Sequence, residues 1–368
     1  MHRHHHYRDH DHRLRRRPPH RVLRGDAPTD RNGGHAVRWL NSLYRSERGA
    51  SAVFVAILLV PLIGFLAIAL DVGALYAERA QLQNGADAAA IAVARDCADG
   101  VCNNPASLAA DYTDANANDD AANVDPPIID LDARTVTVSD STRTDTGEDA
   151  IQHPFASLIG TDSTTVGATA TAEWGPPGDG PAVLPLALSY CEFLLFGALN
   201  DEVKITIRYD ENHPCRRDGA EIPGGFGWLD QILGQCEVLV DLDADVVPSR
   251  PGNSQPVDCE ETLADLEGRT ILIPIFDSST ETGANGVFHI YAFASFKVTG
   301  WKFAGGNRMP LVNVDNYPGC GCTGGNSRFI QGYFQDWVSV DSAFELGGPN
   351  LNADVVRLII PPEPMEMP

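Results

Sequence analysis

Residues 50–70 read ASAVFVAILLVPLIGFLAIAL, 21 positions without a charge, interrupted only by Ser51, Pro61 and Gly64. At about 1.5 Å of helical rise per residue the run reaches roughly 30 Å, the hydrocarbon thickness of a bilayer. Pro61 would cost a water-exposed helix several kcal/mol, about 3 or more, whereas membrane helices accept proline as a kink. The alternative, a buried core helix, has to explain why the run is so long. The stretch predicts a membrane span. A cleaved signal peptide has an apolar core of about 7–15 residues and then a small-residue cleavage site. This run is longer and continues helically through Asp71–Arg95, so the expectation is an uncleaved anchor.

Charge gives the span a direction. The chain of 368 residues carries a net charge of −23, yet residues 1–50 hold twelve Arg against five acidic residues. That leader is therefore +7, and the rest of the chain is −30. Arg38, Arg45 and Arg48 precede the span and Asp71 follows it. Basic flanks stay on the cytoplasmic side, so the leader is expected inside and residues 71–368 outside. The acidic exterior excludes nucleic acid as a partner, because neutralising phosphates takes Lys and Arg.

All eight cysteines, at 97, 102, 191, 215, 236, 259, 320 and 322, lie beyond the span. An even count confined to the outer segment fits disulfides in an oxidising compartment. No CxxC pair occurs, which argues against zinc and thioredoxin-like chemistry. Cys97 and Cys102 can close a small loop where the first helix ends. Cys320 and Cys322 are expected to join two different distant partners rather than each other. The remaining pairings stay open.

The chain divides into six segments. Residues 1–48 form a His- and Arg-rich leader with too little apolar content to fold. Its eight His could bind metal and its Arg block anionic headgroups; a solvated leader, or a start assigned too far upstream, explains the same composition. Residues 37–44 read as a short juxtamembrane helix. The span takes residues 49–71. In residues 72–174, Val72, Leu75, Tyr76, Leu82, Ala86, Ala89, Ala90 and Val93 recur at helical steps. The Ala run leaves a smooth face for a strand layer or another helix, and Gly85 within it is a weak point unless something packs there. A short helix near Ala106–Tyr112 and strands at Ile128–Val138 and Thr164–Trp174 would complete a small α+β domain. Residues 175–181, GPPGDGP, read as a linker. Residues 182–346 form a β-rich domain, with strands expected at Val203–Tyr209, Val238–Val246, Thr270–Phe276, Phe288–Gly300 and Phe329–Val340. Residues 347–368 hold a last strand, Val355–Ile360, and a tail. The fold class is α+β, a membrane helix running into a small α+β domain and then a disulfide-containing β-rich extracytoplasmic domain.

RGASAVFVAILLVPLIGFLAIALDVG (Arg48–Gly73) is followed by LYAERAQLQNGADAAAIAVA (Leu75–Ala94). An Arg-Gly start, a span with a central Pro, an Asp-Val-Gly exit and a Gln-Leu-Gln-x-x-Ala-Asp-Ala-Ala-Ala helix resemble the N-terminal module of TadE/TadG-like proteins of the Tad (Flp) pilus system. Pseudopilin-type members carry a Glu shortly after a processed Gly. Here Gly49 is followed by Ala50, Ser51, Ala52, Val53 and Phe54, and Glu47 lies on the other side. The resemblance is thus to the TadG-like, unprocessed branch. GGFGWLD (Gly224–Asp230), Ile273–Phe303 and IQGYFQDWVSVD (Ile330–Asp341) are more loosely similar to the extracytoplasmic part of actinobacterial TadG-like proteins. The resemblance implies a pilus-assembly protein whose partners are Tad/Flp pilins or pseudopilins, other assembly proteins and the lipid bilayer. The Ala face would then serve lateral packing with pilin helices. A surface adhesin or ligand-binding protein sharing the same anchor is the alternative.

Catalytic chemistry has no signature here, and no catalytic, cofactor-binding or metal residue is assigned. Some TadG relatives carry an Asp-x-Ser-x-Ser metal site; Asp277-Ser278-Ser279-Thr280-Glu281 ends in Glu and reads as a polar turn. Asp241, Asp243 and Asp245 are spaced as in a calcium loop, but Val246 stands where such a loop needs Gly. The alternation Val238, Val240, Leu242, Ala244, Val246 reads as a strand with Asp on its wet face, and weak calcium binding stays open. His153, His213 and His289 are isolated in sequence, and no HExxH, GxSxG or Walker-type loop occurs. Phe226 and Trp228 either plug the β-domain core or form a contact surface. The expectation is a protein that is not an enzyme and uses no cofactor.

Overall fold

In the computed structural model, the described residues are 50–144, 146–155, 157, 163–197, 203–209, 213–244, 246–252, 256–280, 286–303, 312–322 and 327–360. The leader, Asp245, Glu281, Gly305-Gly306 and the tail after residue 360 lie outside them.

One continuous helix, α1, spans Ala50–Ala98 and contains Pro61. Two chemistries share it. From Ser51 to Leu70 its large side chains are all exposed, including Phe54 at 66% and Phe65 at 71%. It is long and apolar enough to cross a membrane. From Leu82 onward a ridge at helical spacing, Ala86, Ala89, Ala90, Val93 and Ala94, is fully buried. After α1 the chain turns through Gly100 in the left-handed region (φ 75°), and Cys97 is bonded to Cys102. Helix α2, Pro105–Asn116, follows with proline in its first turn.

The Ala ridge packs on a sheet whose strand order is 122–124, 135–142, 167–175, 353–359, 337–340, with 128–130 also paired to 135–142. Strands 135–142 and 167–175 are antiparallel, Val136 facing Ala172 and Val138 facing Ala170. These four residues join Ala86, Ala89, Ala90, Val93 and Ala94 in one core. The stretch read as one strand from Ile128 to Val138 is a hairpin, 128–130 against 135–137, reversed through Arg134 at φ 53°. Two members of the sheet come from the far C-terminal end of the chain. Strand 353–359 lies antiparallel to 167–175 and parallel to 337–340.

A second sheet has the order 226–228, 186–189, 270–280, 287–302, 329–334, 205–208, with 247–248 and 312–313 also on 287–302. The long antiparallel pair 270–280 and 287–302 is its spine. One face buries Leu188, Ile207, Trp228, Ile273, Phe296 and Phe303 with Leu263 of the short helix Glu260–Leu266. The other face packs Leu272, Phe276 and Phe293 against Ala353 and Val355 of the first sheet. The molecule beyond the span is thus layered as helix, sheet, sheet and short helices, an α+β arrangement.

Several local expectations change. GPPGDGP is mostly buried, and Gly180 lies where a Cβ would enter the Phe344 ring. Its strand, 180–182, pairs with 238–240. Glycine here answers to close packing, and composition alone reads that as flexibility. The expected strand 238–246 stops at Val240, because Asp241 Oδ1 accepts from the amides of Asp243 and Ala244 and turns the chain. Asp277–Thr280 continues strand 270–280 and is not a turn.

All eight cysteines are paired: Cys97–Cys102, Cys191–Cys215, Cys236–Cys259 and Cys320–Cys322. Cys320 and Cys322 are therefore joined to each other, against the expectation of distant partners. Gly319 and Gly321, at φ 89° and 58°, fold the backbone tightly enough to bring the two cysteines to the same side.

Candidate functional site

The place where α1 changes from exposed to buried is the most unusual site chemically. Strand 135–142 alternates strictly, and its buried phase is Val136, Val138, Asp140 and Thr142. Period two therefore carries a carboxylate into the layer beneath α1. Asp140 is 5% exposed, and neither oxygen accepts a hydrogen bond. A Cβ on Gly85 of α1 would stand 3.2 Å from Asp140 Oδ2 and 3.2 Å from the Thr113 Cα of α2. Gly85, a weak point by helix propensity, is where helix, helix and carboxylate meet most closely.

Burial pushes the Asp140 carboxyl up to about 7, and the nearby charges of Asp87 and Glu78 add to that. The backbone amides of Ala168 and Asp140 itself favour the ionised form and offset only part of the rise. Glu78 is also raised, first by burial and then by Asp119, with Thr142 opposing. A neutral Asp140 is the form that fits this packing, since an unpaired buried carboxylate is costly.

The sequence reading missed Asp140. The signal was present: Val136 and Val138 set the phase, and two more steps arrive at Asp140 and Thr142. The Ala ridge also needs a correction. Offered to pilin helices by the sequence reading, it is covered by the chain's own sheet. Small residues left in the open on α1 just after the apolar run include Gly73, where an added Cβ would meet nothing within 4 Å, and Ala74 and Ala77.

The other sequence candidates are placed as follows. Asp179, Asp241 and Asp243 present carboxylate oxygens within 4.8 Å of one another. Two of these side chains already accept loop amides: Asp179 from Leu242, Asp241 from Asp243 and Ala244. The calcium-like spacing thus includes Asp241 and Asp243 but is completed by Asp179, while Asp245 lies outside the described residues. His289 Nδ1 is 2.6 Å from Asp277 Oδ1, and Arg217 Nη1 donates to Asp277 Oδ2 at 2.9 Å. The Arg217 guanidinium also stacks 3.6 Å from the Tyr291 ring centre. This cluster ties strand 215–217 to the sheet, and neither His289 nor Asp277 lines a described cavity. His153 bonds Thr164 at 2.8 Å, and His213 Nδ1 lies 3.5 Å from the buried Glu192. Phe226 and Trp228 are core residues, Trp228 stacking edge-on with Phe303 at 4.9 Å. The groove between Val183, Leu272, Trp337 and Phe344 measures about 230 Å³, under the roughly 300 Å³ at which small-molecule pockets begin.

Residues 49–96 match the family described as Tad, putative Flp pilus-assembly TadE/G-like. The match takes in this one segment, about an eighth of the chain. It covers α1 almost from end to end, so the TadE/G-like segment comprises both the apolar run and the Ala ridge. The match agrees with the resemblance that the residues suggested for this stretch, and together with the apolar helix it supports a membrane-anchored Tad-type protein. Curated proteins and solved structures gave no match to the chain.

Proposed function

We propose that this chain is a TadG-like, single-pass pilus-assembly protein with its N-terminus in the cytoplasm and residues beyond 71 outside the cell membrane. The observation that carries the reading is the TadE/G-like helix itself, apolar and exposed in its first half and docked in its second. The +7 leader and −30 remainder support the orientation, as do four disulfides confined to the outer part. Helix packing with pilins or pseudopilins falls to the span and the exposed small residues just after it, because the Ala ridge is occupied. The two-sheet domain acts as a rigid, non-enzymatic interaction body for other assembly proteins.

Deletion of the gene followed by electron microscopy of surface fibres tests the assembly role. Loss or shortening of fibres, restored by the full chain, is expected. Normal fibres with lost adhesion would overturn assembly in favour of an adhesin.

A further inference from the structure

The four disulfides are not equivalent. Each of the other three has at least one cysteine buried, at Cys97, Cys191, and both Cys236 and Cys259. Cys320 and Cys322 are only half-buried, and Gly321 between them is exposed. The separation is two residues, against 5, 24 and 23 in the others. A bridge that closes so small a loop removes the least chain entropy of the four, so stapling the fold is its smallest contribution. Exposed bridges are also the ones open to thiol attack.

The loop is held by other means. Lys204 Nζ bonds Asp315 at 2.7 Å, Thr206 pairs with Tyr317 at 2.6 Å, and Arg208 Nη2 donates to the carbonyl of Gly321 at 2.7 Å. Arg208 reaches the Cys320 carbonyl as well. None of these contacts needs the S–S bond, so the segment keeps its place in either redox state. The fully buried Gln331 accepts from the Asp315 amide at 2.8 Å, and its Nε2 is shared among the Asp315 carbonyl at 3.1 Å, Thr206 Oγ1 at 3.2 Å and Cys322 Sγ at 3.0 Å. That donor would stabilise a thiolate on Cys322, and a stabilised thiolate is the better leaving group.

We propose that Cys320–Cys322 is a thiol–disulfide exchange site that takes a dithiol as its reductant. A thiolate of the dithiol attacks Cys320 Sγ; the new S–S bond forms as the Cys320–Cys322 bond breaks. The electron pair goes to Cys322 Sγ, beside the Gln331 amide. The reductant's second thiolate then attacks its own sulfur in the mixed disulfide and releases Cys320 as thiolate. The protein pair gains two electrons and, on protonation, two hydrogens, while the dithiol becomes a disulfide. Gln331 is a positioning residue in this step.

The full chain in detergent micelles is exposed briefly to graded dithiothreitol, alkylated, and mapped by peptide mass spectrometry. Cys320 and Cys322 should be labelled at about tenfold lower dithiothreitol than the other six cysteines, with the thermal transition of the domain unchanged. Gln331→Met should slow that reduction severalfold, with the other three bridges unaffected. Reduction of Cys320–Cys322 together with any other bridge in the unaltered chain would overturn the proposal, whatever the variant does. So would a map joining either cysteine to a different partner.

Discussion

Residues 51–70 and 82–97 belong to one helix and are both rich in apolar residues, yet they solve opposite problems. In the first stretch the apolar residues are mainly Val, Ile, Leu and Phe, with every large side chain exposed; in the second they are mostly Ala, with the ridge fully buried. Large apolar side chains suit a solvent of lipid tails, where area and not fit determines the free energy. Small ones suit a sheet, because backbone approach is close and each methyl has a defined neighbour. The teaching is that volume, and not hydrophobicity, marks where an apolar helix leaves its lipid phase and enters a protein core.

That contrast can be broken by substitution. The largest effect is expected from Ala90→Asp, which buries an unpaired charge in the ridge and should destabilise the outer domain by about 4 kcal/mol or more, read as a lowered melting transition. Next is Val60→Arg, which should cost roughly 3 kcal/mol of insertion free energy and shift the protein out of the carbonate-resistant membrane fraction. It should leave the outer domain's melting unaltered. Unchanged fractionation would count against the span.

A size-only pair sharpens the comparison. Ala90→Leu should cost about 1–3 kcal/mol by overpacking, whereas Ala69→Leu, on the exposed stretch, should leave both insertion and melting near those of the parent. Equal effects at the two positions would erase the distinction between them.

Asp140 adds a pH dependence to the docked half alone. Its carboxyl is near 3.8 in the unfolded chain and about 7 when folded. The folded state therefore holds the proton more tightly. Stability should be highest below about pH 4, fall as pH rises toward 7 and level off above it, by roughly 2–4 kcal/mol in all. Asp140→Asn, a neutral isostere, should flatten this slope in urea melts across pH 4–8. The smallest effect is expected from Gly85→Ala. In an open helix it would gain about 1 kcal/mol, but the added methyl meets Asp140 and the Thr113 backbone at 3.2 Å. A net loss of up to about 1 kcal/mol is expected instead.

Much of this was legible in residues. The charge-free run, Pro61 and the Ala steps described α1 nearly to its ends, and β-branched runs located most of the long strands. Sequence neighbours could not show that 353–359 pairs with 167–175, since strand partners 184 residues apart, such as Arg357 and Glu173, leave no local pattern. Glycine misled once, in GPPGDGP: Gly180 stands at a close approach to Phe344, and a lone sequence presents such a glycine as flexibility, whereas Gly85, expected to need something packed against it, meets Asp140 and Thr113. Asp140 was readable from the phase of Val136 and Val138, but its polarity hid it among surface acids.

Orientation is the claim on which the account rests most heavily. Every native cysteine is in a disulfide, so one engineered thiol gives an unambiguous label. In intact cells, a membrane-impermeant maleimide should label Leu131→Cys, at an exposed position of the outer domain. Arg45→Cys, before the span, should be labelled only after permeabilisation. Labelling of Arg45→Cys in intact cells with Leu131→Cys protected would contradict the account.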